Sequence, residues 1–543
     1  VRLLCPLLIF WHIYHMVMNA FLFSVLTAIL GVMSSNFRTL YRLSDEYARI
    51  AIAALFVVTG GALIASIFFS PALVLGLLFF VTVLVVTFIR PTWALAFLLL
   101  YLPFEPFLLK WIPDDIYLYA RFFSEILIYL LVASVLWKAI TSQIRLKHTP
   151  IDLPMVLFIL LLLTTTVINF VHPIDALLGT RQILRFMLLF FITVYLAPSK
   201  KWVSMVFKGI LVVVAAQLIL GYGQALIGER LDSFLLPSEV RTFGEITITQ
   251  GTVQFWDPGK RVFGTMGRYD QLGIFLAFFL LFIVAILYEP KLRDKYGRYL
   301  MPMLLIALPV LAMSYSRSAW FGFFLGFLFL AIVVHRDRRV TIGLGIIGAI
   351  IAGYLMISGL VVNRLIDTAE QGLTERFFEA FSYERWRGEY YGIGRLFWMV
   401  QTVKEVVPAA PVFGHGPSMY GAGAVAALGN TAVYDELGLP FGVYGTEGYI
   451  DNNWFSLWGE TGTLGLSVYL WLYLSLFFYC LRVYKTSKNP ETRALAIGVA
   501  AAMLAASLNA FLASFLEVRT LAVYLWVAPA LVVVQAKREK LKL

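Results

Sequence analysis

The stretch YDQLGIFLAFFLLFIVAILY, residues 269–288, contains one ionisable acid, Asp270, in an otherwise almost entirely apolar run. A helix rises about 1.5 Å per residue, so about 20 such residues cross the hydrocarbon core of a bilayer. Similar runs recur along nearly the whole chain. The pattern predicts an all-α fold, a polytopic membrane bundle of many spanning helices.

Composition supports the same class. The 543 residues are 60% hydrophobic and 14% charged, with a mean hydropathy of +0.83, whereas soluble domains carry about 25% charged residues. A soluble cytosolic enzyme, a DNA-binding protein and a disulfide-stapled secreted domain are therefore excluded. Cys5 and Cys480 lie far apart, so the sequence suggests neither a disulfide framework nor a metal site.

The apolar runs predict about 14 spans, near residues 48–69, 71–89, 92–109, 117–140, 153–171, 174–197, 203–227, 269–288, 300–315, 317–334, 340–361, 454–480, 493–514 and 519–536. They divide the chain into seven parts: an N-terminal segment 1–47, N-terminal transmembrane helices 48–227, an outer loop 228–268, transmembrane helices 269–361, a large outer loop 362–452 with short helices, C-terminal transmembrane helices 453–536, and a cytoplasmic tail 537–543.

The first residues allow two interpretations. An apolar stretch runs from Leu3 to Gly31 and can form an extra helix, and the chain opens with Val. Either the start codon is not Met, or the reading frame is over-extended and Met33, which begins a polar basic segment, is the start. We favour the second interpretation.

The distribution of charge predicts the orientation. The chain carries 43 Lys and Arg against 32 Asp and Glu, a net charge of +11. Strict alternation puts the basic loops and the tail on one side, which the positive-inside rule makes cytoplasmic. The loops near 110–116 and 171–175 and the long loops 228–268 and 362–452 then face outward. The basic excess thus reflects topology, and a nucleic-acid partner is not expected.

Arginines at the outer ends of spans violate that rule and need a reason. Arg181 and Arg185 are four residues apart on one predicted helix, Arg268 opens the span after the first long loop, and Arg317 occupies a short outer turn. Each can be paired structurally, for example with Glu517 or Asp175, or can reach lipid headgroups. Their common depth favours a bidentate site for a phosphate or diphosphate.

Another charged pair, Arg121 and Glu125, is also spaced by four residues, and we expect these two side chains to neutralise each other.

The large outer loop alternates acidic and basic residues over 363–407, and we expect most of these charges on a solvated helix face. Aromatic residues between them, Trp398 and Trp386 among them, can stack on sugar rings or pack in a core. His415 lies in the glycine-rich stretch 413–421. It is either a hydrogen-bonded loop residue or, with its near-neutral pKa, a catalytic one.

The segment DNNWFSLWGETGTLG, residues 451–465, closely resembles the hallmark of the bacterial O-antigen ligase and polymerase superfamily. In that hallmark, His followed by Asn, Ser or Gln precedes Gly-x-x-Gly by nine residues. Asn452, Gly462 and Gly465 keep the spacing, and Asp451 stands where the ligases have His. Further matches are Ser316-Arg317 at the start of a span, Arg395 three residues before Trp398, and Pro-x-x-Gly-x-Gly at 411–416.

This resemblance implies a GT-C-like helical scaffold in the bacterial cytoplasmic membrane. It implies an inverting glycosyl transfer on the periplasmic or extracellular face, without a metal or another cofactor. The donor is an undecaprenyl-diphosphate-linked oligosaccharide or polysaccharide, and the acceptor is a hydroxyl of a glycan or glycolipid. Membrane lipids surround the protein.

The residues suggest how the roles divide. Arg317, with Arg181, Arg185, Arg268 and Arg395, is expected to hold the diphosphate and stabilise its developing charge. Asp451 is the candidate base, with Glu460 and His415 as alternatives. Asn452 and Trp398 are candidate substrate contacts. Asp451 is also suited to cap the helix that follows it.

Two other functions compete with ligation. A repeat-unit polymerase performs the same chemistry on a growing glycan. A lipid-linked glycan flippase or transporter also puts cations along a cavity, but its polar residues should continue to the cytoplasmic face. The conspicuous charges gather at the outer side, which favours transfer.

Overall fold

The computed structural model describes residues 61, 70–144, 147–237, 240–243, 246–249, 260–366, 371–442 and 450–541. Its helices up to the second long loop are α1 (Pro71–Ile89), α2 (Pro91–Tyr101), α3 (Glu105–Leu109), α4 (Asp114–Arg121), α5 (Phe123–Ile140), α6 (Asp152–Ile168), α7 (Pro173–Leu184), α8 (Leu188–Leu196), α9 (Lys200–Ile227), α10 (Glu229–Leu235), α11 (Tyr269–Tyr288), α12 (Pro290–Met313), α13 (Arg317–Leu328) and α14 (Arg338–Val362).

The second long loop and the C-terminal part contain α15 (Leu373–Phe378), α16 (Tyr383–Tyr391), α17 (Arg395–Gln401), α18 (Val407–Ala409), α19 (Ala422–Leu428), α20 (Ala432–Glu436), α21 (Asn453–Thr486), α22 (Pro490–Leu512) and α23 (Arg519–Arg538). Short 3-10 turns follow α2 and α15, and π-helical turns follow α13 and α17. One antiparallel hairpin pairs β1 (Val240–Phe243) with β2 (Ile246–Thr249), with Val240 opposite Thr249.

The all-α, polytopic fold is confirmed. By length and composition, 11 helical stretches in the described residues can cross a membrane, or 12 if α7 and α8, bent by 50°, form one span. The predicted count of about 14 is not confirmed. The prediction over 153–171 corresponds to α6, a shorter apolar helix, and that over 48–69 lies outside the described residues, apart from residue 61.

The chain divides into two compact units. Within its described part, the smaller unit contains residues 70–94 and 111–130. Gly76 of α1 faces Ile116 of α4, and the rings of Phe79 and Phe123 lie 5.3 Å apart. The span predicted over 117–140 is interrupted here, since α4 ends at Arg121 and α5 begins at Phe123. Arg121 and Glu125 therefore lie on different helices, and their mutual neutralisation remains a prediction.

The larger unit contains residues 95–110 and 131–541 of the described chain and has the main core. The spanning windows of α11 and α23 are 83% and 89% buried. The alanine-rich α22 packs against α11, α13 and α21. Small residues permit this close packing, as at Gly498, where an added Cβ would lie 3.0 Å from the Phe282 ring.

Short polar side chains start the spanning helices. In several of them, the side chain of the residue before the helix accepts a hydrogen bond from a main-chain N–H group of the first turn. These residues are Ser199 before α9, Ser316 before α13, Asp337 before α14, Asn452 before α21 and Asn489 before α22. These bonds satisfy donors that have no partner inside the helix. The first turns of these five helices are therefore stabilised by the residue just before each helix.

The second long loop has a core of its own. It is formed by the buried side chains of Trp398, Val406, Tyr420, Val425, Val433, Tyr434 and Ile450. The Tyr420 and Thr402 hydroxyls are 2.7 Å apart, and burial raises the pKa of both Tyr420 and Tyr434. This cluster packs the short helices of the loop against one another.

Candidate active site

The Gly-x-x-Gly step of the hallmark is a kink inside α21. Gly462 has φ 67° and ψ −175°, which interrupts the helical hydrogen bonds. The N–H groups of Thr463 and Leu464 instead donate to the carbonyls of Pro411 and Val412, at 3.0 and 3.2 Å. Glycine suits a left-handed backbone conformation that side chains strain. The kink thus provides a docking site for the 411–416 loop.

The loop is held from the other direction as well. His415 N donates to Gly459 O and Gly416 N donates to Glu460 O, both at 2.9 Å. A Cβ on Gly462 would lie 2.5 Å from the Gly414 nitrogen. The backbone of the 411–416 loop could therefore not lie this close to α21 if residue 462 had a side chain. The two glycine motifs quoted from the sequence therefore form one main-chain interface.

Two candidate bases lie at this interface. His415 is half-buried, and its Nε2 is 2.9 Å from the Val406 carbonyl. Glu460 is 4% exposed, and its carboxylate accepts from the main-chain N–H groups of Ser418 and Tyr420. Both side chains are thus held by the loop backbone.

Asp451 is paired with Arg395 instead of capping α21. Arg395 donates from Nε to Asp451 Oδ2 at 2.8 Å, and its Nη2 contacts the same oxygen. The cap is Asn452, whose Oδ1 accepts from Phe455 N at 3.1 Å, while its amide donates to Phe511 O at 2.9 Å. The expectation that Asp451 caps the helix is wrong, because Asn452 lies directly before the first residue of α21 and caps it instead.

Glu379 forms ion pairs with three arginines. Its Oε1 lies 2.8 Å from Arg317 Nη1 and 3.0 Å from Arg385 Nε. Its Oε2 accepts from Arg376 Nη1 at 3.2 Å. Glu379 is fully buried, where a carboxylate is tolerated only with charged partners. Arg317, predicted at the start of a span, is thus joined to the large loop.

The ion pairs continue from Glu379 to Asp451. Arg385 contacts Glu389, and Glu389 accepts from the main-chain N–H of Arg395 at 2.9 Å. Arg395 then binds Asp451. We name this set the charged network: Arg317, Arg376, Glu379, Arg385, Glu389, Arg395 and Asp451. It connects Arg317 to Asp451 through side chains of the loop and through the main-chain N–H of Arg395.

The charged network corrects one expectation. Most charges of 363–407 were expected on a solvated face, yet Arg376, Glu379 and Glu389 are 5%, 0% and 3% exposed. Alternating charge also arises when helices of a loop pack by ion pairs, so the pattern alone does not reveal exposure. The sequence analysis missed four members of the charged network, Arg376, Glu379, Arg385 and Glu389.

A second cluster surrounds Glu517, in the turn between α22 and α23. Its carboxylate accepts from Gln182 Nε2 at 3.0 Å and from Asn453 Nδ2 at 3.3 Å. Its main-chain carbonyl accepts from Arg185 Nη2 at 3.1 Å. Burial raises the pKa of the Glu517 carboxyl, and these hydrogen bonds offset part of that effect. Glu517 therefore connects Arg185 to the hallmark helix.

The remaining arginines occupy different settings. Arg181 and Arg185 were predicted on one continuous helix, but α7 ends at Leu184 and the chain bends before α8. Arg185 lies at that bend, and Arg181 remains one turn earlier. Arg268 binds Asp270 through Nε and Nη2, at 2.9 and 2.6 Å. Arg185, Arg268 and Arg317 thus contact different acceptors, and their convergence on one ligand stays a prediction.

Trp398 lies inside the loop core instead of on an accessible face. It is fully buried, and its Nε1 donates to Gly442 O at 3.1 Å. Trp386 and Tyr391 of α16, by contrast, are 46% and 76% exposed. Phe381 and Tyr383, just before and at the start of α16, are 45% and 65% exposed, so a ligand can reach a group of aromatic rings here. Within the described chain, no group of three or more His, Cys, Asp or Glu residues is arranged to hold a metal ion.

Comparison with known proteins agrees with the motifs. Residues 302–470 match the sequence model of the Wzy_C family, O-antigen ligase. This stretch includes the whole charged network, the 411–416 loop and the kink at Gly462. The resemblance to the O-antigen ligase superfamily is therefore confirmed. No curated protein matches the chain.

Proposed function

We propose that this chain, whose residues 302–470 carry an O-antigen ligase domain, joins an undecaprenyl-diphosphate-linked glycan to a hydroxyl of a glycan or glycolipid acceptor. The protein is a multi-pass membrane protein of the ligase and polymerase type. We infer that it acts in the bacterial cytoplasmic membrane, with the charged network on the periplasmic or extracellular face.

The observation that carries this proposal is the charged network, which joins Arg317 to Asp451. It holds four guanidiniums and three carboxylates, so a net positive charge remains near the start of α13 and the start of α21. A planar guanidinium can bind two phosphate oxygens at once. A diphosphate can therefore bind here by competing with a carboxylate already paired to arginine.

The reaction that we propose forms one bond and breaks one. The acceptor hydroxyl oxygen attacks the anomeric carbon as the bond from that carbon to the diphosphate oxygen breaks. Asp451 takes the hydroxyl proton, and the bond electrons go to the diphosphate. Arg317 and Arg395 stabilise the negative charge that develops there, a contribution that is typically the largest in such reactions. Attack opposite the leaving group inverts the anomeric configuration.

Ligase and polymerase share this step and differ in the acceptor. The ligase joins the glycan to a different acceptor, and the polymerase extends a glycan of the same repeat. A transporter should instead carry charge along a path through the membrane. The charged network is confined to one end of the bundle, which favours transfer.

The test uses the full chain in nanodiscs with an undecaprenyl-diphosphate oligosaccharide and candidate acceptors in EDTA, with products followed by mass spectrometry. We expect glycan-linked products from the wild type and from Arg387→Ala, an exposed arginine that pairs with exposed Glu384. Arg317→Ala and Asp451→Asn should lose them. The product mass distinguishes ligation from polymerisation. Movement of the lipid-linked glycan between leaflets, without any product, would overturn the proposal in favour of transport.

A further inference from the structure

A cleft of about 350 Å³ opens between α9, α11, α12, α22 and α23. Its inner wall is apolar and includes Phe278, Phe282, Leu300, Tyr524 and Val527. The size and the apolar lining of the cleft suit a hydrocarbon chain.

The mouth of the cleft is basic. Lys200 and Lys208 line the cleft, and with Lys201 they also line an adjoining depression on α9. Lys200 and Lys208 are eight residues apart, about two helical turns, so they lie on one face of α9. All three lysines are exposed, and Glu491 is the acidic residue among the lining side chains. The balance of charge at the mouth is therefore positive.

This cleft is separate from the candidate active site. Thr492 of α22 lines it, whereas Phe511 of the same helix binds the Asn452 amide through its carbonyl. The two residues are 19 positions apart, which corresponds to roughly 30 Å along a helix. A ligand in the cleft cannot be the group that the charged network binds at the same time.

We propose that the cleft is a binding site for one anionic phospholipid of the membrane leaflet at the lysine end. An acyl chain enters between α11 and α23, and the headgroup phosphate lies among Lys200, Lys201 and Lys208. Basic pockets between spanning helices are typical sites for anionic headgroups. The tyrosines at the mouth, Tyr296 and Tyr299, suit the boundary between hydrocarbon and water.

The positive-inside rule alone also puts lysines at this end. That rule does not explain why Lys200 and Lys208 also border an apolar cleft of a size that suits an acyl chain. Lys485, in the last turn of α21, and Lys488, in the loop that follows, are exposed but do not line the cleft. They provide a matched control for charge without a cavity.

The experiment quantifies lipid bound to the purified full chain after exchange into nanodiscs of phosphatidylcholine with a small fraction of phosphatidylglycerol. Native mass spectrometry of the released protein should detect one retained phosphatidylglycerol. We expect Lys200→Gln/Lys208→Gln to lower its occupancy at least fivefold, and Ala528→Phe, which fills the cleft, to do the same. Lys485→Gln/Lys488→Gln should retain wild-type occupancy.

Several results would overturn the proposal. One is an equal loss in Lys485→Gln/Lys488→Gln, since this would indicate general attraction by charge. Others are equal retention of phosphatidylcholine, or retention of a polyprenyl phosphate in place of phosphatidylglycerol when both are supplied. If Ala528→Phe does not fold, the two lysine pairs still decide the question, because all four side chains are exposed.

Discussion

Arg395 binds Asp451 from two guanidinium nitrogens while its main-chain N–H is held by Glu389. The arginine is therefore fixed at both ends, and it fixes the carboxylate that we propose as the base. In the hallmark that this segment resembles, the position of Asp451 is occupied by His, so the proposed base is here a carboxylate paired with an arginine. The pairing suggests how an acid at this position can be oriented.

Asp451→Asn should lower kcat about 10²–10⁴-fold, the usual contribution of a general base. The amide is nearly the same size and can still accept one hydrogen bond from Arg395, so the protein should fold. The measurement is the transfer rate at saturating donor and acceptor, together with the melting temperature. An unchanged kcat would exclude Asp451 as the base and leave Glu460 and His415.

Glu379→Gln should destabilise the protein by about 3–5 kcal/mol, as expected when one partner of a buried ion pair is removed. Three guanidiniums would then lose their common carboxylate. Glu384→Gln is the control, because its pair with Arg387 is exposed and should contribute less than about 1 kcal/mol. Denaturant or thermal unfolding in detergent measures both. Equal effects of the two substitutions would mean that the charged network is not a structural unit.

Gly462→Ala should cost about 1–3 kcal/mol, because alanine must adopt a left-handed conformation and its Cβ would press on the Gly414 nitrogen. Gly388 of α16 has open space around it, so Gly388→Ala should be neutral or stabilising. The melting temperatures of the two variants test this difference. A Gly462→Ala protein as stable as the wild type would show that the kink can relax.

Glu517 makes stability depend on pH. Its pKa is raised in the folded state above the ordinary value of 4.5, so the folded protein holds the proton more tightly. Its contribution to stability is greatest below pH 4.5 and declines as the pH rises towards the raised pKa. Glu517→Gln has no proton to lose and should remove this decline. The melting temperatures of the wild type and of Glu517→Gln, measured from about pH 4 to about pH 8, should therefore converge at low pH and separate at high pH. Parallel curves for the two proteins would contradict the assignment.

Trp398 and Trp386 should respond differently to alanine. Trp398→Ala removes a fully buried side chain and should cost about 3–5 kcal/mol of stability. Trp386→Ala removes an exposed ring and should leave stability nearly unchanged while raising KM for the glycan, since stacking on a sugar is lost. Unfolding and steady-state kinetics separate the two. A Trp386→Ala enzyme with unchanged KM would exclude glycan stacking at α16.

The spanning helices could be predicted because hydropathy is a local property of the sequence. The run at 269–288 predicts α11 with the same bounds that the structure gives. The break near Arg185 could not be predicted, since Phe186 and Met187 are apolar and suit an uninterrupted helix. Local sequence thus defined the spans but not their bends.

The site was predicted only in part, for a related reason. Arg317 and Asp451 stood out by violating the charge rule or by matching a motif. Glu379 did not, because its meaning depends on a fold that brings it to Arg317, 62 positions earlier. In a run of alternating charges, the sequence does not indicate which arginine a given acidic residue pairs with in the fold. The connections of the charged network therefore required the structure.

The docking of the 411–416 loop on α21 has a consequence for chimeric proteins. The interface is made by main-chain groups on both sides, at Pro411, Val412, His415 and Gly416 and across the kink. Its specificity therefore depends on backbone shape and not on the side chains between the glycines. A loop transplanted from a relative should be accepted when Gly414 and Gly462 are transferred as a pair, whatever acceptor-specific residues the loop carries with it.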